Sequence, residues 1–471
     1  ITSSETNTSD NSGAIKILGH RIGFENNAKV STSGTNDGGE ILIGGNYLGK
    51  GPEPNASAVV ISEGAEITAD AINSGDGGRV IVWSDDYTNF AGSITAKGAT
   101  DGNGGFVETS SKNNLQVFGS VDASGGITEG NWLLDPANVT ITSSGSSSVS
   151  GSGTTLTFNP GGPSTTVLAS SIKSALASSN VTITTNNGTE TQAGNIIVNA
   201  ALTDISVASS GKRLTLFASE NIEINESITS NAGPLSIRLS AQGDIKIQNN
   251  ANITTLGGSL LVTGSNNEAD TDPFANPSNL AGSFTLSLGS DIDTSGGSDL
   301  AGGDVTIRTV DRNTDNSLAV STEADGDIEI YGNIITSGGT ATSGNAGKAA
   351  GDVKLHAGIT FGSSTGETDG KIIIGTGGNI TAKGSNAATG AGGAGGLIEL
   401  DTFQETITLT DATLESGGGT GSSAGAGGNI NIKGDALISS SASNLATLID
   451  TGSSVAGNVT FDSKINGVTE G

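Results

Sequence analysis

One short pattern recurs along the chain: a glycine, a small or polar residue, and then a triplet in which apolar and polar residues alternate. In the copy from Gly326 to Gly332, Ile328 and Ile330 fall on one face of an extended chain and Glu329 falls on the other. This alternation predicts short, half-buried β-strands. From Gly303 onward the pattern returns every ~20–30 residues, which is the interval expected of stacked repeats. Other copies are GGEILIGG from Gly38, GGRVIVWS from Gly77, GGFVETSS from Gly104, GDIKIQ from Gly243, GDVTIR from Gly303, GDVKLHAG from Gly351, GKIIIGTG from Gly370, GGLIELD from Gly395, GGNINIKG from Gly427 and GNVTFDS from Gly457.

Short strands separated by glycine-rich corners favour a coil that is stacked on its own repeats. Glycine makes sharp corners without steric cost, and each strand then pairs with the equivalent strand one coil away, at about 4.8 Å. We therefore predict an all-β, right-handed parallel β-helix, a β-solenoid with one short helix-bearing insertion. The main rival is a set of β-sandwich modules, each of which normally has longer strands and a buried tryptophan. Two tryptophans in 471 residues argue against that rival.

The pattern lapses once, which divides the chain into three predicted parts. Residues 1–142 and 180–471 are expected to form β-helix coils of one continuing rod, and residues 143–179 an irregular insertion. Within that insertion, Thr166–Ser179 has apolar residues at helical spacing. We expect the glycine-rich tracts Gly384–Gly396 and Gly417–Gly428 to be outward loops that stack on one another, and Gly264–Ser283 to be a protruding loop.

Charge and composition exclude several classes of partner. The formal net charge is −28, from 20 basic and 48 acidic residues, so phosphate backbones repel the chain and nucleic-acid binding is not expected. No apolar run approaches the length of a membrane helix, so membrane insertion is not expected either. The absence of cysteine excludes disulfides and thiolate metal sites.

Four segments resemble, in their order, the filamentous-haemagglutinin-like exoproteins of two-partner secretion, which include high-molecular-weight adhesins. These segments are GGRVIVWSDDYTNFAGSITAKG, GGFVETSS, NWLLDPANVTIT and SALASSNVTITTNNG, and the matching region runs from about Gly77 to Gln248. The resemblance implies a β-helical fibre on the bacterial outer surface, exported through an outer-membrane β-barrel transporter, that adheres to host cells, other bacteria or surfaces. The family's N-terminal secretion domain is not visible before Ile1.

Aromatic and acidic residues in two places are candidates for contact with a ligand. Strand alternation points Trp83 outward, where it could stack on a sugar ring beside Asp85, Asp86 and Tyr87, although an ordinary surface tryptophan is the simpler interpretation. The loop Gly264–Ser283 offers Asp270, Asp272 and Phe274. In contrast, Trp132, Leu133, Leu134 and Pro136 are predicted to plug the apolar interior where the coil is interrupted.

An enzyme is the alternative from another class, because β-helices also carry polysaccharide lyases and hydrolases. A hydrolase needs two carboxylates that face each other, and the pairs Asp85/Asp86, Asp291/Asp293 and Asp325/Asp327 are candidates. We favour a structural role for such aspartates, because the recurring Gly-Asp pairs are typical of residues that hydrogen-bond turn amides. His20 and His356 are far apart in the sequence, so no histidine-based metal site or catalytic triad is expected.

The sequence thus predicts a non-enzymatic, secreted fibre segment without a cofactor, apart from adventitious or weak Ca²⁺. Its partners would be a glycan or protein receptor on another cell or surface, or further copies of itself. Self-association, head to tail or side by side, would make it the subunit of an extracellular filament or sheath.

Overall fold

The computed structural model describes residues 13–25, 27–145, 149–150, 157–158, 165–185, 194–207, 211–248, 250–263, 282–309, 326–358, 370–442, 446–452 and 455–467. The chain divides into two units, one of Ile1–Ala208 with Lys212–Ser219 and one of Ser209–Gly211 with Glu220–Gly471. Among the described residues, strands and turns dominate both units, and no helix combines the length and apolar character needed to cross a bilayer.

The described residues of unit 1 form twenty-one strands, one α-helix and a 3₁₀ turn at Tyr47–Gly49. The strands are β1 Ala14–Ile17, β2 Arg21–Phe24, β3 Lys29–Ser31, β4 Glu40–Ile43, β5 Ala58–Ile61, β6 Glu66–Thr68, β7 Arg79–Val82, β8 Tyr87–Phe90, β9 Ser93–Thr95, β10 Phe106–Thr109, β11 Asn114–Val117, β12 Ser120–Asp122, β13 Asn131–Leu134, β14 Val139–Thr142, β15 Val149–Ser150, β16 Thr157–Phe158, β17 Thr166–Leu168, β18 Asn180–Thr184, β19 Ile196–Val198, β20 Leu202–Ile205 and β21 Lys212–Ala218; the helix is α1 Ala169–Leu176.

Three ladders of parallel strands wind through unit 1. The first joins β1, β4, β7, β10, β13, β18 and β21 in that order. The second joins β2, β5, β8, β11, β17, β14 and β19, and the third joins β3, β6, β9 and β12. Among the described strands, only β15 and β16 pair antiparallel. Parallel pairing between successive coils is the arrangement of a β-helix.

Unit 2 contains the remaining strands. They are β22 Ile222–Ile224, β23 Ile228–Ser230, β24 Leu235–Ala241, β25 Ile245–Ile247, β26 Ile253–Thr254, β27 Leu260–Val262, β28 Phe284–Leu286, β29 Ile292–Asp293, β30 Val305–Arg308, β31 Ile328–Ile330, β32 Asn333–Ile335, β33 Val353–His356, β34 Ile372–Ile374, β35 Asn379–Thr381, β36 Ile398–Thr410, β37 Thr413–Glu415, β38 Ile430–Ser439, β39 Leu448–Asp450, β40 Val459–Phe461 and β41 Ile465–Gly467.

Unit 2 has the same three-ladder plan. Its first ladder is β24, β27, β30, β33, β36, β38 and β40. Its second is β22, β25, β28, β31, β34, β36, β38 and β41, so β36 and β38 each take part in two ladders. Its third is β23, β26, β29, β32, β35, β37 and β39. The prediction of a parallel β-helix is confirmed within each unit.

Inward side chains form rows in which each residue stacks on its equivalent in the next coil. One such row in unit 1 contains Ile41, Val80, Val107, Trp132 and Val181, all fully buried. Burial of these rows is the main source of stability, at about 25 cal/mol per Å² of apolar surface.

The helix α1 lies beside β12 and β20. In the described part of unit 1 the third ladder ends at β12, whereas the first two ladders continue past the helix. Ile172, Ala175 and Leu176 form its buried face, as their spacing predicts. The helix is shorter than the predicted Thr166–Ser179 because Thr166 and Val167 belong to β17, which is inserted between β11 and β14. Thr and Val are β-branched, which favours a strand at that position.

The glycine-rich tracts of unit 2 stack as predicted. Gly384 donates a backbone hydrogen bond to Gly417 at 3.0 Å, Ala387 to Thr420 at 2.8 Å, and Gly392 to Ser423 at 2.9 Å. At Gly392 and Gly419 a Cβ atom would clash with a carbonyl oxygen of the neighbouring loop, which explains the glycine at these positions.

Candidate binding groove

A shallow groove of about 530 Å³ lies on the surface of unit 1, beside the corners that precede β4, β7 and β10. Its floor is glycine backbone, and charged, amide and aromatic side chains rise at its margin. The lining residues are Gly38, Gly39, Glu40, Asp76, Gly77, Gly78, Arg79, Gly104, Gly105, Phe106 and Asn131.

The floor is glycine because successive corners approach too closely for any larger residue. A Cβ atom at Gly78 would clash with the carbonyl oxygen of Gly39, and one at Gly105 would clash with that of Gly78. An equivalent backbone hydrogen bond closes each corner: the Gly78 N–H donates to the Ala69 carbonyl at 2.7 Å, and the Gly105 N–H donates to the Ala96 carbonyl at 2.8 Å. The recurring Gly-Gly pair thus sets both the coil stacking and the smooth base of the groove.

Four residues at one register position form the wall of the groove. Glu40, Arg79, Phe106 and Asn131 are direct neighbours on β4, β7, β10 and β13. Arg79 Nη1 lies 2.8 Å from Glu40 Oε1, and both side chains are about one-third exposed. Along the stack, the wall therefore presents an anion, a cation, an aromatic ring and an amide, in that order.

A second aromatic ring extends this wall. Tyr47 lies in the 3₁₀ turn between β4 and β5 and is 40% exposed. Its ring meets Phe106 edge to face, with centroids 5.7 Å apart, and Arg79 lies 5.5 Å from the Tyr47 centroid. The two rings and the guanidinium form one continuous surface next to the glycine floor.

Trp83 does face away from the main interior, as alternation predicts, but it is only 3% exposed. It packs with Leu42 and Ile81 in a small outer cluster that also contacts Phe106. The residues between β4 and β5 cover it, since a Cβ at Gly49 would clash with the indole ring. Trp83 therefore does not offer the open stacking face for which it was a candidate, and the simpler interpretation, without a stacking role, fits the structure better.

The neighbours of Trp83 are also occupied. Tyr87 is fully buried and packs with Ala58 and Val60, so this second candidate for a stacking surface is closed to a ligand as well. Asp85 accepts hydrogen bonds from Trp83 Nε1 at 3.2 Å and from Asn55 Nδ2 at 3.0 Å. Asp86 is exposed and accepts a hydrogen bond from Ser57 at 2.7 Å. The carboxylates hold the covering segment in place.

Glu108 is a buried carboxyl below the same covering segment. It lies one alternation step from Phe106 on β10, and the Leu48 N–H points at its two oxygens from 3.2 and 3.3 Å. Burial raises the pKa of Glu108 to about 8, an effect that the Leu48 hydrogen bond only partly offsets. Its position beside the groove was not anticipated from the sequence.

Two of the predicted plug residues point inward. Trp132 and Leu134 are fully buried, and Trp132 meets Phe90 edge to face with centroids 6.5 Å apart. The Trp132 Nε1–H donates to Thr109 Oγ1 at 2.9 Å, which satisfies the indole in the interior. Leu133 is the exception. It shares the outward register position of Ile81 and Glu108, so its side chain does not enter the apolar interior of the coil. Pro136 is buried at the following turn.

The other predicted contact residues, Asp270, Asp272 and Phe274, lie outside the described residues, as does Asp325 of the carboxylate pairs. Asp291 accepts hydrogen bonds from the backbone and side-chain nitrogens of Asn333, at 3.0 and 2.8 Å. Asp293 accepts one from the Ser295 N–H at 2.9 Å, and Asp327 accepts one from the Lys371 N–H at 2.7 Å. All three aspartates accept hydrogen bonds from backbone amides: the Ser295 amide lies in the local turn, whereas those of Asn333 and Lys371 belong to the next coil.

The Gly-Asp pairs bind amides of the next coil in addition to local turns. Asp304 Oδ1 accepts from the Asp352 N–H at 2.8 Å, and Asp352 Oδ1 accepts from the Leu397 N–H at 2.9 Å. In the same way, Asp244 Oδ1 accepts from the Ser283 N–H at 3.1 Å. The aspartates therefore form rungs between successive coils.

Unit 2 also contains a charged cluster that sequence reasoning missed. Arg308, His356, Asp401 and Lys433 share one register position on β30, β33, β36 and β38, and Glu399 lies beside them. His356 Nε2 is 3.0 Å from Glu399 Oε1, although the two residues are 43 apart in sequence. Lys433 Nζ is 2.8 Å from Glu399 and 3.6 Å from Asp401.

Burial lowers the pKa of His356, against the raising effect of its hydrogen bond to Glu399. Burial raises the pKa of Glu399, but the hydrogen bond and charge of Lys433, with His356, outweigh this and hold the pKa below its ordinary value. At neutral pH the cluster therefore contains a neutral imidazole and a charged Glu399.

No protein-family model matches this chain, and no curated protein matches it at a significant level.

Proposed function

We propose that this protein is a non-enzymatic adhesin of the filamentous-haemagglutinin-like kind, and that its groove binds a glycan on another cell or surface. The groove is the observation that carries the proposal. Its volume, about 530 Å³, falls in the range of about 300–1,000 Å³ that is typical of small-ligand sites. A solvent-facing groove built on a rigid stack of strands suits a role in attachment.

The chemistry of the groove suits a sugar. A pyranose ring has an apolar C–H face, which packs on aromatic rings such as Phe106 and Tyr47. Its hydroxyl groups both donate and accept hydrogen bonds, which Arg79, Glu40 and Asn131 can match. The flat glycine floor lets the ring approach the backbone closely.

The proposal also covers location and export. The ordered motifs from Gly77 to Gln248 resemble secreted exoproteins, so we place the chain on the bacterial outer surface and infer an outer-membrane β-barrel transporter as its export partner. The high net negative charge is compatible with a surface that keeps away from anionic lipids and nucleic acids.

A glycan array probed with the purified chain tests the proposal. We expect a restricted set of glycans to bind, and Phe106→Ala to weaken their binding by about ten-fold or more, since the ring supplies the stacking face. The control is Lys29→Gln, which removes an exposed ion pair with Glu66 on another ladder of unit 1 and should leave binding unchanged.

Circular dichroism of both variants shows whether the fold is kept. Binding that Phe106→Ala does not weaken, or an array without any bound glycan, would contradict the proposal. Release of reducing sugar from a bound glycan would instead identify a polysaccharide-degrading enzyme.

A further inference from the structure

We propose that His356, Glu399 and Asp401 of unit 2 form a binding site for one divalent transition-metal ion of the Zn²⁺ class. The proposal is independent of glycan binding, which concerns unit 1. The three side chains lie on β33 and β36, on the side opposite the buried residues Leu355 and Leu400. Their backbones are fixed by the parallel ladder, which brings the three donor groups together.

The donor atoms have the spacing of a coordination sphere. One nitrogen and two carboxylate oxygens lie within 4.8 Å of one another. Zinc–ligand bonds of about 2.0–2.2 Å place neighbouring ligand atoms roughly 3–4 Å apart. Small rotations of the two carboxylates would therefore complete a three-ligand set, and solvent would supply the remaining position.

The ammonium group of Lys433 lies where the metal ion would bind. The Lys433 ammonium lies 2.8 Å from Glu399 Oε2 and 3.6 Å from Asp401 Oδ2. The Lys433 side chain is 39% exposed and has a long flexible stem, so its ammonium can move into water. We infer that a metal ion binds in exchange for this ammonium.

The donor types select the class of ion. Imidazole with carboxylates suits zinc and its neighbours among the transition metals, whereas Ca²⁺ and Mg²⁺ require mainly oxygen ligands. His356 is 6% exposed and its Nδ1 has no hydrogen-bond partner, so the ring is held by packing and by Glu399. Arg308 lies next to His356 and opposes the ion's charge, which limits the affinity.

The test is calorimetric titration of the full, chelator-treated chain with ZnCl₂. We expect one saturable site, and a loss of affinity of at least about ten-fold in His356→Ala and in Asp401→Asn. Cobalt(II) should give a visible ligand-field spectrum with the original chain that disappears in His356→Ala. The control His20→Ala changes the other histidine, which is exposed in unit 1, and should leave binding unchanged.

A second pair of variants separates coordination from general attraction to an acidic protein. Lys433→Met should tighten zinc binding by roughly ten-fold, because the competing ammonium is gone. Lys354→Met removes an equal charge from the neighbouring register position, where the ammonium pairs with Asp352 at 3.3 Å, and should have a much smaller effect. Equal effects of the two lysine variants, or zinc binding that survives His356→Ala, would overturn the proposal.

Discussion

Glu108 shows how a single outward residue of a β-helix becomes buried. Alternation places it on the outer side of β10, where an exposed carboxylate is expected, but the segment between β4 and β5 lies over it. The carboxyl therefore loses water, and its hydrogen bonds to the Leu48 N–H and the Ser110 hydroxyl offset this loss only in part, so burial raises its pKa to about 8. A carboxyl that is neutral in the folded state and charged in the unfolded state links stability to pH.

We predict that the free energy of unfolding of unit 1 decreases as the pH rises from about 5 to 9. The folded pKa of Glu108, about 8, lies above the ordinary value of 4.5, so the folded state keeps a proton that the unfolded state releases in this window. The stabilisation is complete below the lower value and is lost above the upper one. At ~1.4 kcal/mol per pKa unit, the change is at most about 5 kcal/mol.

Urea unfolding followed by tryptophan fluorescence measures this effect, because both tryptophans, Trp83 and Trp132, belong to unit 1. Glu108→Gln keeps an acceptor for Leu48 and cannot ionise, so most of the pH dependence should disappear. Glu66→Gln alters an exposed carboxyl of the same unit, so this variant should show the same pH dependence as the original chain. A pH dependence that persists in Glu108→Gln would show that another group is responsible.

At the scale of elements, the stacked coils are joined by side-chain rungs as well as by strand pairing. Asp352 is typical: it accepts the Leu397 N–H of the next coil, and its own N–H donates to Asp304 of the previous one. Such rungs satisfy amides at corners where the ladder has no partner.

Asp352→Ala should therefore destabilise unit 2 by about 1 kcal/mol, the usual net value of one hydrogen bond, and should speed exchange of the Leu397 amide hydrogen. Asp352→Asn keeps the accepting oxygen and should behave like the original chain. Hydrogen exchange with residue resolution distinguishes the two. Equal exchange at Leu397 in both variants would show that the rung does not protect this amide.

The helix α1 replaces a strand and must seal the interior at that level of unit 1. Ile172 is fully buried on its inner face, whereas Ser174 is exposed. Ile172→Ala should cost about 2–4 kcal/mol, from lost burial and the cavity that remains. Ser174→Ala should be neutral or slightly stabilising, because alanine is the better helix former. Tryptophan fluorescence during urea unfolding gives the unfolding midpoint of each variant. Similar midpoints for Ile172→Ala and Ser174→Ala would show that the helix does not seal the core.

The elements were more predictable from sequence than the sites. Alternation and glycine corners are local signals, so they give the parallel β-helix, the strand after Asn180 and the stacked loops of residues 384–428. The groove and the charged cluster depend on register between coils of different length. His356 meets Glu399 because β33 pairs in register with β36, which follows 43 residues later in the chain, and this pairing is not visible in the local sequence. Likewise, alternation places Trp83 outside but carries no information about the segment that covers it.

At the scale of the whole molecule, charge is the dominant feature. The net charge of −28 gives every copy of the chain a strong repulsion from the next. Parallel strands at the edges of sheets have unpaired backbone groups, which favour association between chains. At neutral pH, the repulsion between copies therefore keeps such edges apart.

We predict that association between copies peaks near the sequence pI of about 4.1. As the pH falls from 7, the 48 acidic groups become protonated and the repulsion fades. At pH 3 the 20 Lys and Arg side chains and the two histidines restore a net charge, now positive, and should separate the chains again. Light scattering against pH measures this, with circular dichroism to show that the strands persist. A scattering signal that keeps rising below the pI would point to unfolding as the cause, because an unfolded, aggregated chain does not dissolve when its charge returns.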